Sequence, residues 1–299
     1  MKMKNSTILT TMALGLATAI FPACNPNNKA KENSSKLAHV KAEQPHNIPY
    51  TLSSGIKMNL PDELLEISGI AFIAGQDEDI YAIQDEQGLL YKFNQATQKV
   101  TFTPFGKDGD YEDISISNTH IFVLKSNGSI YSFPITEKEN IKTVVEQKNL
   151  LPKGEYEGLF VDRESNQAYV LCKECKVDRK QAQTSGYIFN MDENGQLQPK
   201  GEFAIQLDEL KEFDPTIKKT FKPSALAKKA DSKEWYILSS IDKALVVTDE
   251  NFHVKSLHSL DPKMFPQPEG INFDSKFNLY ISSEAGHQDK GLIYKFEKQ

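Results

Sequence analysis

The sequence is poor in cysteine and tryptophan, with three and one among 299 residues. No stripe of lysine and arginine crosses it, and the formal net charge is −6 at pH 7. A diffusely acidic chain repels phosphate, which argues against nucleic acid as a partner. Beyond the first 23 residues no apolar run is long enough to span a bilayer. Helical periodicity is almost missing, and Leu207–Phe213 is the one stretch that predicts a short helix. The G-x-S-x-G, H-E-x-x-H and G-x-x-x-x-G-K-[ST] patterns are absent, so the common signatures of serine hydrolases, zinc proteases and P-loop nucleotidases do not apply. What the chain does have is 39% hydrophobic and 25% charged residues, the balance of a globular body with an ample core.

The N-terminus reads as a targeting segment. Lys2 and Lys4 precede an apolar stretch over residues 8–21, which ends at Phe21-Pro22-Ala23-Cys24. A small residue before a cysteine at the end of such a run looks like a lipoprotein signal, although Phe21 and Pro22 depart from the usual aliphatic-small pattern. Residues 1–23 are then the signal, and Cys24 carries the lipid. The other reading is an ordinary cleaved signal with an incidental cysteine. Loss of Lys2 and Lys4 leaves the mature chain two charges more negative. Residues 24–45 are polar and form a flexible tether, and residues 46–299 form the folded body. The expected location is the cell envelope, with the chain anchored to a membrane through Cys24. The outer membrane is the expected destination and the cytoplasmic membrane the alternative. A monomer is expected.

One pattern recurs five times in the body. It opens with Glu66-Ile-Ser-Gly-Ile-Ala-Phe, Glu112-Asp-Ile-Ser-Ile, Glu157-Gly-Leu-Phe-Val, Lys222-Pro-Ser-Ala-Leu and Glu269-Gly-Ile-Asn-Phe, at spacings of 46, 45, 65 and 47 residues. Each opening is followed by a second short apolar stretch, such as Ile80-Tyr-Ala-Ile or Leu279-Tyr-Ile-Ser, and by a third that usually starts with glycine. These stretches are aromatic and β-branched, and Gly, Asn and Asp bound them, which is strand and hairpin chemistry. Four strands with tight turns need about 45 residues. The chain is therefore all-β, a five-bladed propeller of four-stranded antiparallel blades, with six blades as the alternative. The long third interval is assigned to extra loop at 173–185 and 208–220. Fourth strands are expected over 100–105, 141–147, 201–205 and 253–260. The fifth repeat ends before one, so the segment 48–60 is predicted to pair with 293–296 and close the ring, which removes two exposed sheet edges. Trp235 and the series Tyr81, Tyr169, Tyr236 and Tyr280 fall at equivalent strand positions and read as core.

The same motifs carry a family resemblance. Glu66-Ile-Ser-Gly-Ile-Ala, Tyr81-Ala-Ile-Gln-Asp, Tyr156-Glu-Gly-Leu, Pro223-Ser-Ala-Leu and Pro266-Gln-Pro-Glu-Gly-Ile, with Tyr280-Ile-Ser-Ser-Glu, resemble the SdiA-regulated (YjiK-like) bacterial family from residue 48 to the C-terminus. The resemblance implies a five-bladed propeller with a bound calcium, distantly akin to NHL-repeat propellers. Lactonases, phosphotriesterases and phytase-like esterases are among related propellers, so it supplies no single activity. Lys222 stands where the family tends to have Glu before Pro-Ser, which alters any metal site that uses that Glu.

First strands line a propeller's channel, so their starts meet at one mouth, and the ends of the antiparallel second strands return there. This gathers Glu66, Glu112, Glu157, Lys222 and Glu269 with Asp85, Lys125, Glu174, Ser240 and Glu284. Converging carboxylates repel one another unless some hold protons or a cation sits among them. Glu66, Glu112, Glu157, Glu269, Glu284 and Asp85 are the candidate metal ligands. An all-oxygen set without a histidine cluster suits Ca²⁺, with Mg²⁺ second and Zn²⁺ disfavoured. The plainer reading has these side chains cap backbone amides or pair with Lys125 and Lys222. Three functional classes remain open. The first is a calcium-binding propeller that binds a ligand or partner without catalysis. The second is a metal-dependent esterase, lactonase or phosphoesterase, with Glu284 or Asp85 as base. The third is a scaffold in which the calcium only rigidifies the ring. Asp108 and Asp110 read as a solvated turn, and His287 as a solvated loop residue. Cys172-Lys-Glu-Cys175 has no second pair to make a zinc site, and a disulfide pinning the following loop is expected in an exported protein.

Overall fold

The computed structural model describes residues 47–217 and 219–299. The expectations for Cys24, the signal and the tether lie outside them. The described chain forms five antiparallel four-stranded sheets. The first blade is β2 (Ile67–Ile73), β3 (Gln76–Gln84), β4 (Leu89–Asn94) and β5 (Val100–Pro104). The second is β6 (Tyr111–Ile116), β7 (His120–Lys125), β8 (Ile130–Pro134) and β9 (Val145–Gln147). The third is β10 (Gly154–Asp162), β11 (Gln167–Cys175), β12 (Gln183–Met191) and β13 (Leu197–Gln206). The fourth is β14 (Ala225–Lys229), β15 (Glu234–Ser239), β16 (Ala244–Thr248) and β17 (Val254–Ser259). The fifth is β18 (Gln267–Phe273), β19 (Leu279–Glu284) and β20 (Leu292–Phe296), completed by β1 (Ile56–Asn59).

Ring closure follows the sequence expectation. Lys57 pairs with Tyr294 and Met58 with Ile293, so the fourth strand of the last blade comes from the start of the body. Five closed blades remove the six-bladed alternative. Gly55 enters this strand under the Phe296 ring, where a Cβ would lie 2.5 Å from a ring carbon. Among the described residues no helix is long and apolar enough to cross a membrane.

The inner strands contact one another in the cyclic order β2, β6, β10, β14, β18 and back to β2. They splay from a common axis and share no ladder, so side chains stitch the seams. Asp113 accepts from Leu159 N in the next blade at 2.7 Å and from Ile114 N at 2.8 Å. Ser115 accepts from Val161 N at 2.8 Å. Ser224 donates to the Pro268 carbonyl at 2.7 Å, and Ser282 to the Ser68 carbonyl at 2.8 Å. Gly69 makes room for the first of these, since a Cβ there would sit 2.4 Å from Asp113 Oδ1. Buried backbone groups that a ladder would satisfy are satisfied here by short polar side chains.

Aromatic rings fill the gaps between blades. Tyr280 meets Phe72 edge-on at 4.9 Å, and Trp235 meets Phe160 at 5.6 Å, each contact joining neighbouring blades. Phe252 stacks on Phe203 at 3.7 Å and on Trp235 at 4.9 Å. Trp235, Tyr81, Tyr236 and Tyr280 are fully buried, as their shared strand position predicts, while Tyr169 is half-buried. Removing one such ring from water stabilises the fold by about 2–3 kcal/mol.

Two segments differ from expectation. Residues 173–185 were expected as loop, but β11 runs to Cys175 and β12 starts at Gln183, with one helical turn, α1 (Asp178–Gln181), between them. The β12–β13 ladder extends to the pair Gln183–Gln206, so the insertion lengthens strands and then adds α2 (Leu207–Phe213), the predicted helix. A fourth strand expected over 141–147 is reduced to Val145–Gln147. The Glu137 carboxylate accepts from Lys142 N at 2.8 Å and Thr143 N at 2.7 Å, which holds that segment in a turn.

Candidate metal centre

The mouth divides the predicted carboxylates into two groups. Glu66 precedes β2, Asp85 follows β3, and Glu284 ends β19. Backbone bonds fasten these three chain ends together: Asp85 N donates to the Glu66 carbonyl at 3.3 Å, Ala285 N to the Leu65 carbonyl at 3.0 Å, and Tyr111 N to the Asp85 carbonyl at 2.9 Å. One carboxylate oxygen from each of Glu66, Asp85 and Glu284 then lies within 4.8 Å of the others. Gln267 donates its side-chain amide to Glu284. Asp85 Oδ1 is buried and has no hydrogen-bond partner among the described residues. A buried carboxylate oxygen without a donor costs on the order of a few kcal/mol.

Burial pushes the Asp85 carboxyl up to about 6, with Glu66, Glu86 and Asp110 adding repulsion. Burial, and then the charges of Glu269, Glu66 and Asp85, take Glu284 to about 8. Three acids on fixed backbone, one oxygen unpaired, offer the hard oxygen donors that a divalent cation takes.

Glu112, Glu157 and Glu269 form the second group, at the starts of the second, third and fifth inner strands. Burial takes Glu112 to about 9, helped by Glu157 and Asp110 and opposed by Lys173. Glu157 and Glu269 stand at about 7, both raised mainly by burial. Lys173 bonds Glu157 directly, and this group already holds a cation of its own. Burial alone would depress the Lys173 ammonium, but Glu157, Glu269 and Glu112 outweigh it and raise its pKa.

Sequence reasoning missed Lys173 and placed Glu174 at this mouth position. Strand β10 carries register shifts on either side of Tyr156, which pairs with Cys172, while Glu155 pairs with Glu174. These irregularities turn Lys173 toward the carboxylates and Glu174 toward Arg179 and Lys222. Lys222, which replaces the Glu of the family pattern, is thereby paired. Lys125 lies over the Tyr111 ring at 4.8 Å, and His287 is exposed on the loop after Glu284. Cys172 and Cys175 are joined as a disulfide that spans Lys173 and Glu174, with Cα atoms 6.1 Å apart. Asp178 lies beside these sulfurs but receives the Ser185 hydroxyl at 2.6 Å.

No curated protein matches the chain in sequence. Among solved structures, glutaminyl cyclase from Myxococcus xanthus aligns with a TM-score of 0.57 at 9% identity, over 82% of this chain and 95% of that one. The WD40 repeats of RRP9 align with a TM-score of 0.51 at 10% identity, over 81% and 97%. These two likenesses show a shared fold and no more. Regucalcin from Agrobacterium tumefaciens aligns with a TM-score of 0.47 at 12% identity, over 83% and 93%. The model of the SdiA-regulated family matches residues 56–296, which spans all five blades and the closing strand. The chain belongs to the SdiA-regulated family.

Proposed function

We propose that this chain is a calcium-binding propeller that binds a ligand or partner at the cell envelope, held to a membrane through lipidated Cys24. The observation that carries the cation reading is the unpaired, buried Asp85 Oδ1 beside Glu66 and Glu284. Glu66, Asp85 and Glu284 are the residues that would hold the ion. Their all-oxygen donor set fits Ca²⁺, which accepts about six to eight oxygens in flexible geometry, better than Mg²⁺. Glu112, Glu157 and Glu269, grouped with them on sequence grounds, are assigned a different part: they hold the Lys173 ammonium. The membrane anchor is supported by the Lys2, Lys4 and Cys24 pattern of the N-terminus.

Isothermal calorimetry with CaCl₂ tests the ion site. One site is expected in the wild type, with at least tenfold weaker binding (about 1.4 kcal/mol) in Asp85→Asn and near-wild-type binding in Glu157→Gln. Equal affinity in wild type and Asp85→Asn overturns the assignment. A metal-dependent hydrolase of esters, lactones or phosphoesters is the second reading. The exposure of Glu66 favours it, since that edge of the site opens to solvent. Hydrolysis of such a substrate that is lost in Asp85→Asn would establish it.

A further inference from the structure

The other end of the channel has different chemistry. All five inner strands end around one cavity of about 330 Å³, lined among others by Phe72, Ile116, Asp162, Lys228 and Phe273. Four phenylalanines, Phe160 and Phe273 among them, line it together with acidic and basic side chains. Phe160 and Phe273 are half-buried there, Phe160 backed by Trp235 at 5.6 Å and Phe273 by Tyr236 at 5.1 Å. Arg163 enters this wall just past the end of β10. Its Nε donates to the Ile116 carbonyl at 2.8 Å, and Nη2 bonds the Phe72 carbonyl, so two neighbouring blades fix the guanidinium plane.

Three of the four carboxylates that line the cavity are bonded within the fold, and one of these is paired with a cation. Asp162 accepts from Lys228 at 2.8 Å and from Glu164 N at 3.0 Å. Asp77 is held by Ser275, through the backbone N at 3.0 Å and the hydroxyl. Asp274 accepts from Asn278 N at 2.9 Å, Asn278 Nδ2 at 2.8 Å and Lys276 N at 2.9 Å. Glu164 is exposed. No carboxylate among the described residues forms an ion pair with Arg163, and burial alone lowers its pKa. Its remaining N–H groups stay charged, held in position and without an anionic partner. A concave site that combines apolar and aromatic side chains with a few oriented polar groups is a usual form of a small-ligand site. A fixed guanidinium is the group best matched to a planar carboxylate.

We propose that the Arg163 end of the channel binds a small aromatic carboxylate, its carboxylate on the Arg163 guanidinium and its ring against Phe160 and Phe273. Two blades fix the guanidinium beforehand, so little ordering is left for the ligand to impose. The exposed Lys233, at the rim of the same cavity, offsets the charge of the exposed Glu164. The site lies at the opposite end of the inner strands from Glu66, Asp85 and Glu284 and depends on none of them.

The test is calorimetry on the full chain in chelator, which leaves the cation site out of the result. The probes are phenylacetate and 2-naphthoate, each beside its carboxamide. At least about tenfold tighter binding of each acid than of its amide is expected, the size of one charge-assisted hydrogen bond. Arg163→Gln is expected to lose that preference. Because Arg163 also ties two blades, Lys233→Glu serves as a second variant at an exposed position, with several-fold weaker acid binding and unchanged amide binding expected. No saturable binding of either acid at millimolar concentration overturns the proposal. So does equal affinity for acid and amide, or an acid preference that survives in folded Arg163→Gln.

Discussion

The Lys173 ammonium bonds the Glu157 carboxylate from inside the Cys172–Cys175 bridge. One carboxylate cluster at the mouth is thus neutralised from within the chain, while the neighbouring Glu66, Asp85 and Glu284 are not. Replacing Lys173 by Met leaves Glu157 buried without its cation. A loss of roughly 2 kcal/mol of stability is expected, below the figure for a fully buried pair because Lys173 is 28% exposed. Calcium at millimolar concentration is expected to restore part of it. Denaturant unfolding of Lys173→Met with and without calcium checks both.

The mouth also sets a pH dependence. In the folded state Glu112 is raised from 4.5 to about 9 and Glu284 from 4.5 to about 8, chiefly by burial. Between the unfolded and folded values the native state binds protons that the unfolded chain has lost, so the contribution of these groups to stability falls as pH rises. It is fully present below about 4.5 and is lost as pH passes through 8 to 9. In chelator, the melting temperature is expected to fall across this window and to fall less in Glu112→Gln. Excess calcium is expected to flatten the decline above pH 7.

Asp113 is a stability residue that no catalytic or metal role explains. It accepts from Ile114 N and Leu159 N across the seam between two blades. Asp113→Ala leaves two buried N–H groups without acceptors, at about 1–3 kcal/mol each. A drop of about 2–6 kcal/mol in the free energy of urea unfolding is expected.

The anchor is tested in cells. Cys24→Ala is expected to move the protein from the membrane pellet to the soluble envelope fraction, and to abolish incorporation of labelled fatty acid. Retention in the pellet with unchanged labelling would remove the lipoprotein reading.

The architecture was legible because most blades repeat the same signals: an acid, a short β-branched strand, an aromatic second strand and a glycine-led third, with the fourth blade, from Lys222, the exception. The closing strand could be read because the last repeat stops one strand short while the segment before the first has strand character. The sites were only partly legible. Spacing placed Glu66, Asp85 and Glu284 at one mouth, yet it could not separate them from Glu112, Glu157 and Glu269. That division depends on Lys173, and the register shifts around Tyr156 decide whether Lys173 or Glu174 faces inward. Such irregularities leave little trace in a strand's composition. Asp113 had a visible signal, an acid directly after the opening Glu where the third and fifth repeats carry Gly158 and Gly270. The pocket around Arg163 had none, because strand ends on five separate repeats build it.

The most direct test of the account is where a calcium ion binds. Crystals of the protein grown with CaCl₂ and measured by long-wavelength anomalous diffraction locate the ion independently of any binding model. One anomalous peak between Glu66, Asp85 and Glu284, in contact with Asp85 Oδ1 and with Lys173 still bonded to Glu157, is the predicted result. A peak among Glu112, Glu157 and Glu269 with Lys173 displaced, or no peak at the mouth at saturating calcium, contradicts it.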